Sequence, residues 1–274
     1  MIHGFVIIDK PAGITSHDVV AQLRRVARQK RVGHAGTLDP AATGVLVTAL
    51  GNATRLIEYV QDATSKRYLA EVRLGITTST DDAEGETLAS SAVPTLGEAA
   101  LEQALGAFRG PIEQVPPMYS ALHHEGRRLH ELAREGITVE RAARPVTIER
   151  LELLAHTHDT LTLDVLCSKG TYIRSLARDL GAALGCGAAV AGETALGAGA
   201  ALGCWAPGPQ AASSTSSTGS AARRRASDRG IGFSIGVKTA AVYHAPGRRR
   251  GALSAYQGSS NRQGGLKWNH SSRP

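Results

Sequence analysis

The feature that most limits how this chain can fold is a two-residue period between residues 66 and 74. Tyr, Ala, Val and Leu at positions 68, 70, 72 and 74 form one row, and Leu, Glu and Arg at 69, 71 and 73 form the other. This is the pattern of a β-strand with one face against a core. Further strands are predicted at residues 4–8, 146–154 and 160–168. Strands outnumber helices and short turns join several of them, so we expect an α+β fold around a largely antiparallel sheet.

Three amphipathic segments predict helices that flank this sheet. The first has Ser16 as its N-cap and an apolar row over residues 19–27 that includes Val26. The second begins with a capping box of Thr95 and Glu98. The third covers residues 171–184 and ends at a glycine. Each is long enough to cover part of one face of the sheet.

The composition changes abruptly near residue 190. The net charge of the whole chain is +7, but residues 1–200 have a balance of −3 and residues 201–274 a balance of +10. The later stretch is rich in Ala, Gly, Ser and Arg and shows neither helical nor strand periodicity, and such a composition cannot readily bury a core. We therefore predict a folded unit of residues 1–190 and an atypical basic tail of residues 191–274, which holds no recognisable further domain.

Several classes of protein are disfavoured. No apolar run approaches the roughly 20 residues that a membrane span needs. The first ten residues lack a basic segment and a cleavage site, so they indicate a strand rather than a signal peptide, and we expect a cytoplasmic protein. Cys167, Cys186 and Cys204 show no CxxC pairing, which argues against a metal site or a disulfide framework and favours buried thiols.

The segment GHAGTLDP, residues 33–40, carries the most obvious reactive group, the carboxylate of Asp39. Asp before Pro is also a common helix start, with Asp39 as the N-cap and Pro40 at the first helical position, and that position would stabilise the anion. Five Arg and Lys residues over residues 24–31 lie just before it, either on a solvated helix face or as phosphate contacts. A carboxylate hydrolase would need a second acid, and Glu58 and Asp62 have no motif around them.

Four further blocks surround this segment in a recognisable order. They are DKPAGITS at 9–16, ATGVLVTAL at 42–50, KRY at 66–68 and CSKGTYIR at 167–174. Together with GHAGTLDP they closely resemble the TruB family of bacterial tRNA pseudouridine synthases, over about residues 1–190. The resemblance implies the pseudouridine synthase fold, a largely antiparallel mixed sheet with flanking helices. It also implies an insertion at about residues 115–146 that grips an RNA stem-loop.

The resemblance also implies roles for individual residues. Asp39 matches the catalytic aspartate, and Arg174 matches the arginine that pairs with it and keeps it charged. Tyr68 is expected to stack on a flipped-out uridine and Tyr172 to form a second wall of the pocket. His34 would occupy the space that the base leaves, and we do not assign it as a general base. Candidate RNA contacts are Lys10, Lys169, Tyr119, Arg127, Arg128 and Arg134, with structural roles as the alternative for Lys10 and Lys169.

The implied activity is isomerisation of uridine to pseudouridine in the T-loop of tRNA, at position 55, without cofactor or metal and by a protein expected to be monomeric. The first role of Asp39 stays open among attack at C1′, addition at C6 and proton removal at C2′. The alternative is a catalytically impaired tRNA-binding or tRNA-folding protein, because the segment that should close the pocket after residue 190 is not recognisable. The tail is either a disordered basic arm that adds RNA affinity or the product of a reading-frame change, and the abrupt composition change favours the latter.

Overall fold

The computed structural model describes residues 1–63 and 65–198. Its strands are β1 (Gly4–Lys10), β2 (Val32–His34), β3 (Thr43–Leu50), β4 (Lys66–Leu74), β5 (Ile76–Thr78), β6 (Thr87–Ser90), β7 (Gly110–Gln114), β8 (His123–His124), β9 (Arg127–Arg128), β10 (Arg144–His156), β11 (Thr160–Cys167) and β12 (Ala188–Ala198). Its helices are α1 (Ser16–Val26), α2 (Ile57–Asp62), α3 (Glu98–Gly106), α4 (Leu129–Arg134) and α5 (Ile173–Ala183), with a 3₁₀ turn at Gly51–Leu56 before α2. The predicted α+β class is confirmed.

Eight strands form one sheet, in the order β1, β3, β12, β4, β11, β10, β7, with β2 paired to β3. Every pairing is antiparallel except that of β3 with β12, which is parallel at two positions. The remaining strands form two small hairpins, β5–β6 and β8–β9. The sheet is therefore mixed but largely antiparallel, as the sequence predicts.

Strand β12 corrects the predicted boundary at residue 190. It runs through residue 198 and pairs with β4 along its length. The expectation that residues 191–198 lack strand structure is wrong. The sequence shows no two-residue period here because register shifts between Val190 and Gly192 and between Ala195 and Gly197 interrupt it. The predictions for residues 199–274, including the thiol of Cys204, lie outside the described residues.

The core lies between the sheet and two helices. The predicted inner row of β4, with Tyr68 and Val72, is buried, and it belongs to the same apolar cluster as Leu176 and Leu180 of α5 and Leu105 of α3. Burying a side chain of this size stabilises a fold by about 1.5–3 kcal/mol. This face of the sheet therefore fixes where β4 and α5 lie, and both carry residues of the predicted site.

Two of the predicted helix starts are wrong. Thr15, rather than Ser16, caps α1, in a capping box with Asp18. Helix α3 begins after Gly97 without a side-chain cap, so Thr95 plays no such part. Val26 is 65% exposed and does not belong to the inner row of α1. Helix α5 begins at residue 173, as predicted to within two residues.

Gly44 allows β3 and β12 to approach each other. Its φ is +101°, and a Cβ at this position would lie 2.2 Å from the carbonyl oxygen of Ala195. No other residue type fits both the backbone conformation and the space. The hydroxyl groups of Thr43 and Thr194, 2.9 Å apart, make a further contact at this junction.

Residues 115–146, the predicted insertion, contain the β8–β9 hairpin and the short helix α4. Leu129 and Leu132 of α4 are buried. In the part of the chain that the structure describes, no helix combines the length and the apolar character that crossing a membrane requires.

Candidate active site

The loop between β2 and β3 brings the Asp39 carboxylate against the side chain of Arg174, which lies in the first turn of α5. Arg174 Nη2 donates to Asp39 Oδ1 at 3.2 Å, and Arg174 Nε lies 2.8 Å from Oδ2. The Arg174 side chain is 6% exposed, whereas that of Asp39 is 37% exposed. The predicted pairing is therefore present, and the carboxylate is partly exposed while its cationic partner is buried. Their catalytic roles stay predictions.

The Arg174 guanidinium is held by backbone carbonyls as well as by Asp39. Nη1 donates to the carbonyl of Thr80 and Nη2 to that of Tyr119, both at 2.8 Å. The carboxylate of Asp82 lies 3.6 Å from Nε. A buried guanidinium needs such partners, and their number fixes its orientation toward Asp39. Because Thr80 and Asp82 carry no motif, the sequence gives no signal for this part of the site.

Lys10 holds the loop that carries Asp39. Its ammonium is buried and donates to the carbonyls of Pro11 at 3.1 Å, Pro40 at 3.0 Å and Ala42 at 2.6 Å. Burial lowers the pKa of Lys10, which Asp39 partly offsets. The prediction that Lys10 contacts RNA is wrong, because its nitrogen is enclosed and fully used by the protein. The structural alternative fits.

Ser16 fixes the other side of the same loop. Its hydroxyl accepts a hydrogen bond from the amide of Leu38 at 2.9 Å and donates to the carbonyl of Leu38 at 3.2 Å. Sequence reasoning missed this role, because Ser16 was assigned to the helix cap that Thr15 provides. Residues 38 and 40 are thus both anchored, and Asp39 lies between them.

No helix follows Asp39. Residues 40–42 form a bend, the amide of Ala42 donates to the carbonyl of Asp39 at 3.1 Å, and the chain continues directly into β3. The prediction of Asp39 as a helix N-cap is therefore wrong. Its anion is stabilised by Arg174 rather than by a helix dipole.

The side chains of Tyr68 and Tyr172 lie close enough to Asp39 for its negative charge to raise the pKa of each phenol. Tyr68 is buried on β4, and Tyr172 is half-buried at the start of α5. Burial raises the pKa of both phenols, and at Tyr68 the neighbouring Glu193 raises it further. Both side chains are therefore neutral at pH 7, as the walls of a pocket for an uncharged base should be.

His34 ends β2 and is half-buried beside His17, with the ring centroids 5.4 Å apart in an edge-to-face arrangement. Its Nδ1 lies 2.7 Å from the carbonyl oxygen of Gly36. Burial lowers the pKa of His34, and the nearby His17 and Lys66 lower it further, although the Gly36 carbonyl acts in the opposite direction. The ring is therefore neutral at pH 7, which suits the space-filling role predicted for it.

The remaining RNA-contact candidates lie on the surface and stay predictions. The Lys169 ammonium pairs with Asp62, and the Arg127 guanidinium pairs with Glu135. Arg128 and Arg134 are exposed on the insertion. Tyr119 is half-buried, and its carbonyl belongs to the Arg174 anchor.

The basic cluster before the loop is also at the surface. Arg25, Arg28 and Lys30 are exposed, while Arg24 donates to the carbonyl of Val32 and Arg31 donates to the hydroxyl of Thr54. Among the described residues, no group of three or more His, Cys, Asp or Glu side chains is placed to hold a metal ion.

The fold and the site define the class of protein. A crystal structure of a Cbf5–Nop10–Gar1 complex matches the chain with a TM-score of 0.55 and 30% sequence identity, over 72% of this chain and 49% of that one. An archaeal box H/ACA sRNP Nop10–Cbf5 complex matches with a TM-score of 0.52 and 28% identity, over 72% of this chain and 48% of that one. The chain has the pseudouridine synthase fold.

The sequence comparisons define the family. The family model described as TruB family pseudouridylate synthase (N terminal domain) matches residues 24–173. A protein named tRNA pseudouridine synthase B from Marinomonas sp. (strain MWYL1) is 52% identical over 187 residues, which cover 68% of this chain and 60% of that protein. One of the same name from Prochlorococcus marinus (strain MIT 9313) is 55% identical over 187 residues, 68% of this chain and 58% of that protein.

This chain belongs to the TruB family of pseudouridylate synthases. It spans about 60% of the length of these two curated relatives.

Proposed function

We propose that this chain isomerises uridine to pseudouridine in the T-loop of tRNA, at position 55, with the T-arm stem-loop as its substrate. The observation that carries the proposal is the carboxylate of Asp39, which is 37% exposed and is paired with the buried guanidinium of Arg174. Two relatives that share more than half of their aligned residues with the chain are named tRNA pseudouridine synthase B. We propose further that it acts as a monomer in the cytoplasm and requires neither metal nor cofactor.

The reaction matches what this site offers. The N1–C1′ bond of the nucleotide breaks, the uracil turns, C5 bonds to C1′, and the hydrogen on C5 is lost while N1 gains one. No electrons are exchanged with a second molecule, so positioned side chains suffice. A fixed, ionised carboxylate serves equally for attack at C1′, addition at C6 or proton removal at C2′. Arg174 holds that carboxylate in one orientation.

The target uridine must leave its stack to reach Asp39. Unstacking costs a few kcal/mol, which aromatic surfaces in the pocket offset. Tyr68 is the proposed stacking partner and Tyr172 the second wall, since both lie near Asp39 and both are neutral. His34, on the strand that leads into the loop, would fill the space that the base leaves in the RNA.

RNA affinity must come from local positive charge, because residues 1–200 have a negative balance. The exposed part of the basic cluster at residues 24–31 and the insertion residues Arg128 and Arg134 are proposed to contact phosphates. Arg174 links the insertion to Asp39, because its guanidinium donates both to the carbonyl of Tyr119 and to the Asp39 carboxylate. Lys169 and Arg127 would have to exchange their carboxylate partners for the RNA.

The test is Asp39→Asn, with Asp9→Asn as the matched control at an exposed aspartate near the end of β1. A T-arm stem-loop transcribed with uridine tritiated at C5 releases tritium on each turnover. We expect the wild-type chain and Asp9→Asn to release tritium, and Asp39→Asn to be slower by at least about 10³-fold, the order of loss when a nucleophile is removed. Binding of the same RNA by Asp39→Asn should stay within about threefold, because Arg174 keeps its carbonyl partners.

Normal turnover by Asp39→Asn would refute the assignment of Asp39. Binding of the stem-loop by the wild-type chain without tritium release would instead support the alternative, an impaired tRNA-binding protein.

A further inference from the structure

A second carboxyl group, that of Glu193, lies on the same face of the sheet as the Tyr68 side chain and interacts with Asp39. On the paired strands β12 and β4, Glu193 lies directly opposite Ala70, and Ala195 lies opposite Tyr68. Side chains directly opposite each other on antiparallel strands point to the same face of the sheet. Glu193 therefore shares the face of Tyr68, one row further along, and it is half-buried there.

The charged and titratable groups of every neighbouring element surround this carboxyl group. Those that interact with it are Asp39 in the catalytic loop, Lys10 on β1, Tyr68 on β4, Asp82 in the β5–β6 turn, Cys167 on β11 and Arg174 on α5. None of the residues that the structure describes gives Glu193 a hydrogen bond or an ion pair. Burial is the main cause that raises the pKa of Glu193 to about 7. The negative charge of Asp39 raises this pKa further, and its effect is larger than the opposite effect of Arg174.

Asp39 and Lys10, two other members of this cluster, already have close partners. Asp39 is held by the buried guanidinium of Arg174, and the Lys10 ammonium is bound to three carbonyls. The phenol of Tyr68 stays protonated because burial raises its pKa. The carboxylates of Asp39 and Asp82 lie 2.8 and 3.6 Å from Arg174 Nε, whereas Glu193 interacts with Arg174 only at longer range. A base is most efficient when its pKa lies near the working pH.

We propose that Glu193 accepts the proton that leaves C5 in the last step of the isomerisation. The proposal rests on the proposed function. Once C5 has bonded to C1′, it carries both the ribose and a hydrogen, and the ring has a double bond between C6 and N1. The Glu193 carboxylate takes the hydrogen as a proton, and the C–H electron pair restores the C5–C6 double bond. The electrons of the C6–N1 double bond move to N1, which takes a proton from water, and Glu193 returns its proton to solvent.

The test compares Glu193→Gln with Glu71→Gln, a change at an exposed glutamate on the opposite row of β4. Both variants and the wild-type chain are assayed on the T-arm stem-loop with hydrogen or deuterium at C5 of its uridines. Glu193→Gln should lower kcat by about 10²-fold, the usual contribution of a general base, and leave KM within about twofold. Deuterium at C5 should slow Glu193→Gln more than it slows the wild-type chain, because the C–H bond then breaks in the slowest step.

The pH profile gives a readout that a purely structural role would not change. The base form is the active form, so kcat of the wild-type chain should rise with pH through about 7, and Glu193→Gln should lack this rise. Glu71→Gln should behave like the wild type in all three measurements.

Each other outcome overturns the proposal. Equal or faster turnover by Glu193→Gln, or an unchanged isotope effect, would show that Glu193 does not take the C5 proton. If Glu193→Gln does not fold, the absence of a rise in the wild-type profile near pH 7 is decisive against it. A wild-type chain without any turnover refutes the proposed function itself, whereas normal turnover with an unaffected Glu193→Gln refutes the role of Glu193 alone.

Discussion

Replacing Lys10 by Met tests whether the ammonium bound to the Asp39 loop holds the Asp39 carboxylate in place. Met keeps an unbranched stem of similar length, so the packing of the buried chain is largely preserved and the change removes the charge and its three donors. The carbonyls of Pro11 and Ala42 lose this donor, while that of Pro40 keeps the amide of Gly13 at 2.9 Å.

The expected loss of stability follows from these contacts. Hydrogen bonds to a charged group contribute about 1.5–3 kcal/mol each, so three of them contribute about 4.5–9 kcal/mol. Removing the charge also removes the cost of burying it, which is several kcal/mol. The net decrease in the free energy of unfolding should be about 3 kcal/mol. Because two of the three carbonyls belong to residues 40–42, the loop should loosen next to Asp39, and kcat should fall at least about tenfold.

Urea unfolding and tritium release measure the two effects on the same preparations. Lys30→Met, at an exposed lysine, is the control and should change the free energy of unfolding by less than about 0.5 kcal/mol. If Lys10→Met is as stable as this control and turns over at the wild-type rate, the ammonium does not position the loop and the argument fails.

Two further changes test the sheet junction and the loop histidine. Gly44→Ala should lower the free energy of unfolding by at least about 2 kcal/mol, because the new methyl group would meet the carbonyl of Ala195. The control Gly106→Ala has open space around the new methyl group and should be neutral or stabilising. Equal effects of the two changes in urea unfolding would contradict this. His34→Asn tests how the stability of the fold depends on pH. Because the pKa of His34 is lowered in the folded chain, the unfolded chain binds a proton more readily. The wild-type chain should therefore lose stability relative to the variant as pH falls below about 6.5. A wild-type chain that gains stability relative to the variant toward pH 5.5 would refute the reasoning.

The sequence predicts those parts of the fold that depend on local periodicity. The alternation of residues 68–74 is a direct consequence of one face of β4 packing on the core, so its strand and its inner row are both confirmed. Strand β12 was missed for the same physical reason, since its two bulges shift the side chains from one face to the other. The face of the sheet on which Glu193 lies depends on the first of these bulges, so simple alternation does not predict it.

The pairing within the site could not be predicted from local pattern. Asp39 and Arg174 are separated by 135 residues, and only the resemblance to a family indicated that they meet. For Lys10 the sequence left an RNA contact and a structural role open, because it does not show that the bend after Asp39 leaves carbonyls that a buried ammonium satisfies. Thr15 and Ser16 are equally good helix caps by type, and only the fold decides that Ser16 is the one that binds the loop.

The central place of β12 has a consequence for the synthesis of the chain. It is the strand that joins β3, which follows the Asp39 loop, to β4, which carries Tyr68. A ribosome delivers it after the other eleven described strands, and at ~5–20 residues per second the 114 residues from Leu74 to Ala188 take roughly 6–23 s. Until then the two nascent half-sheets have unpaired edge strands, and such edges can pair with other chains. If translation stops before residue 188, the chain has both half-sheets but lacks the strand that joins them.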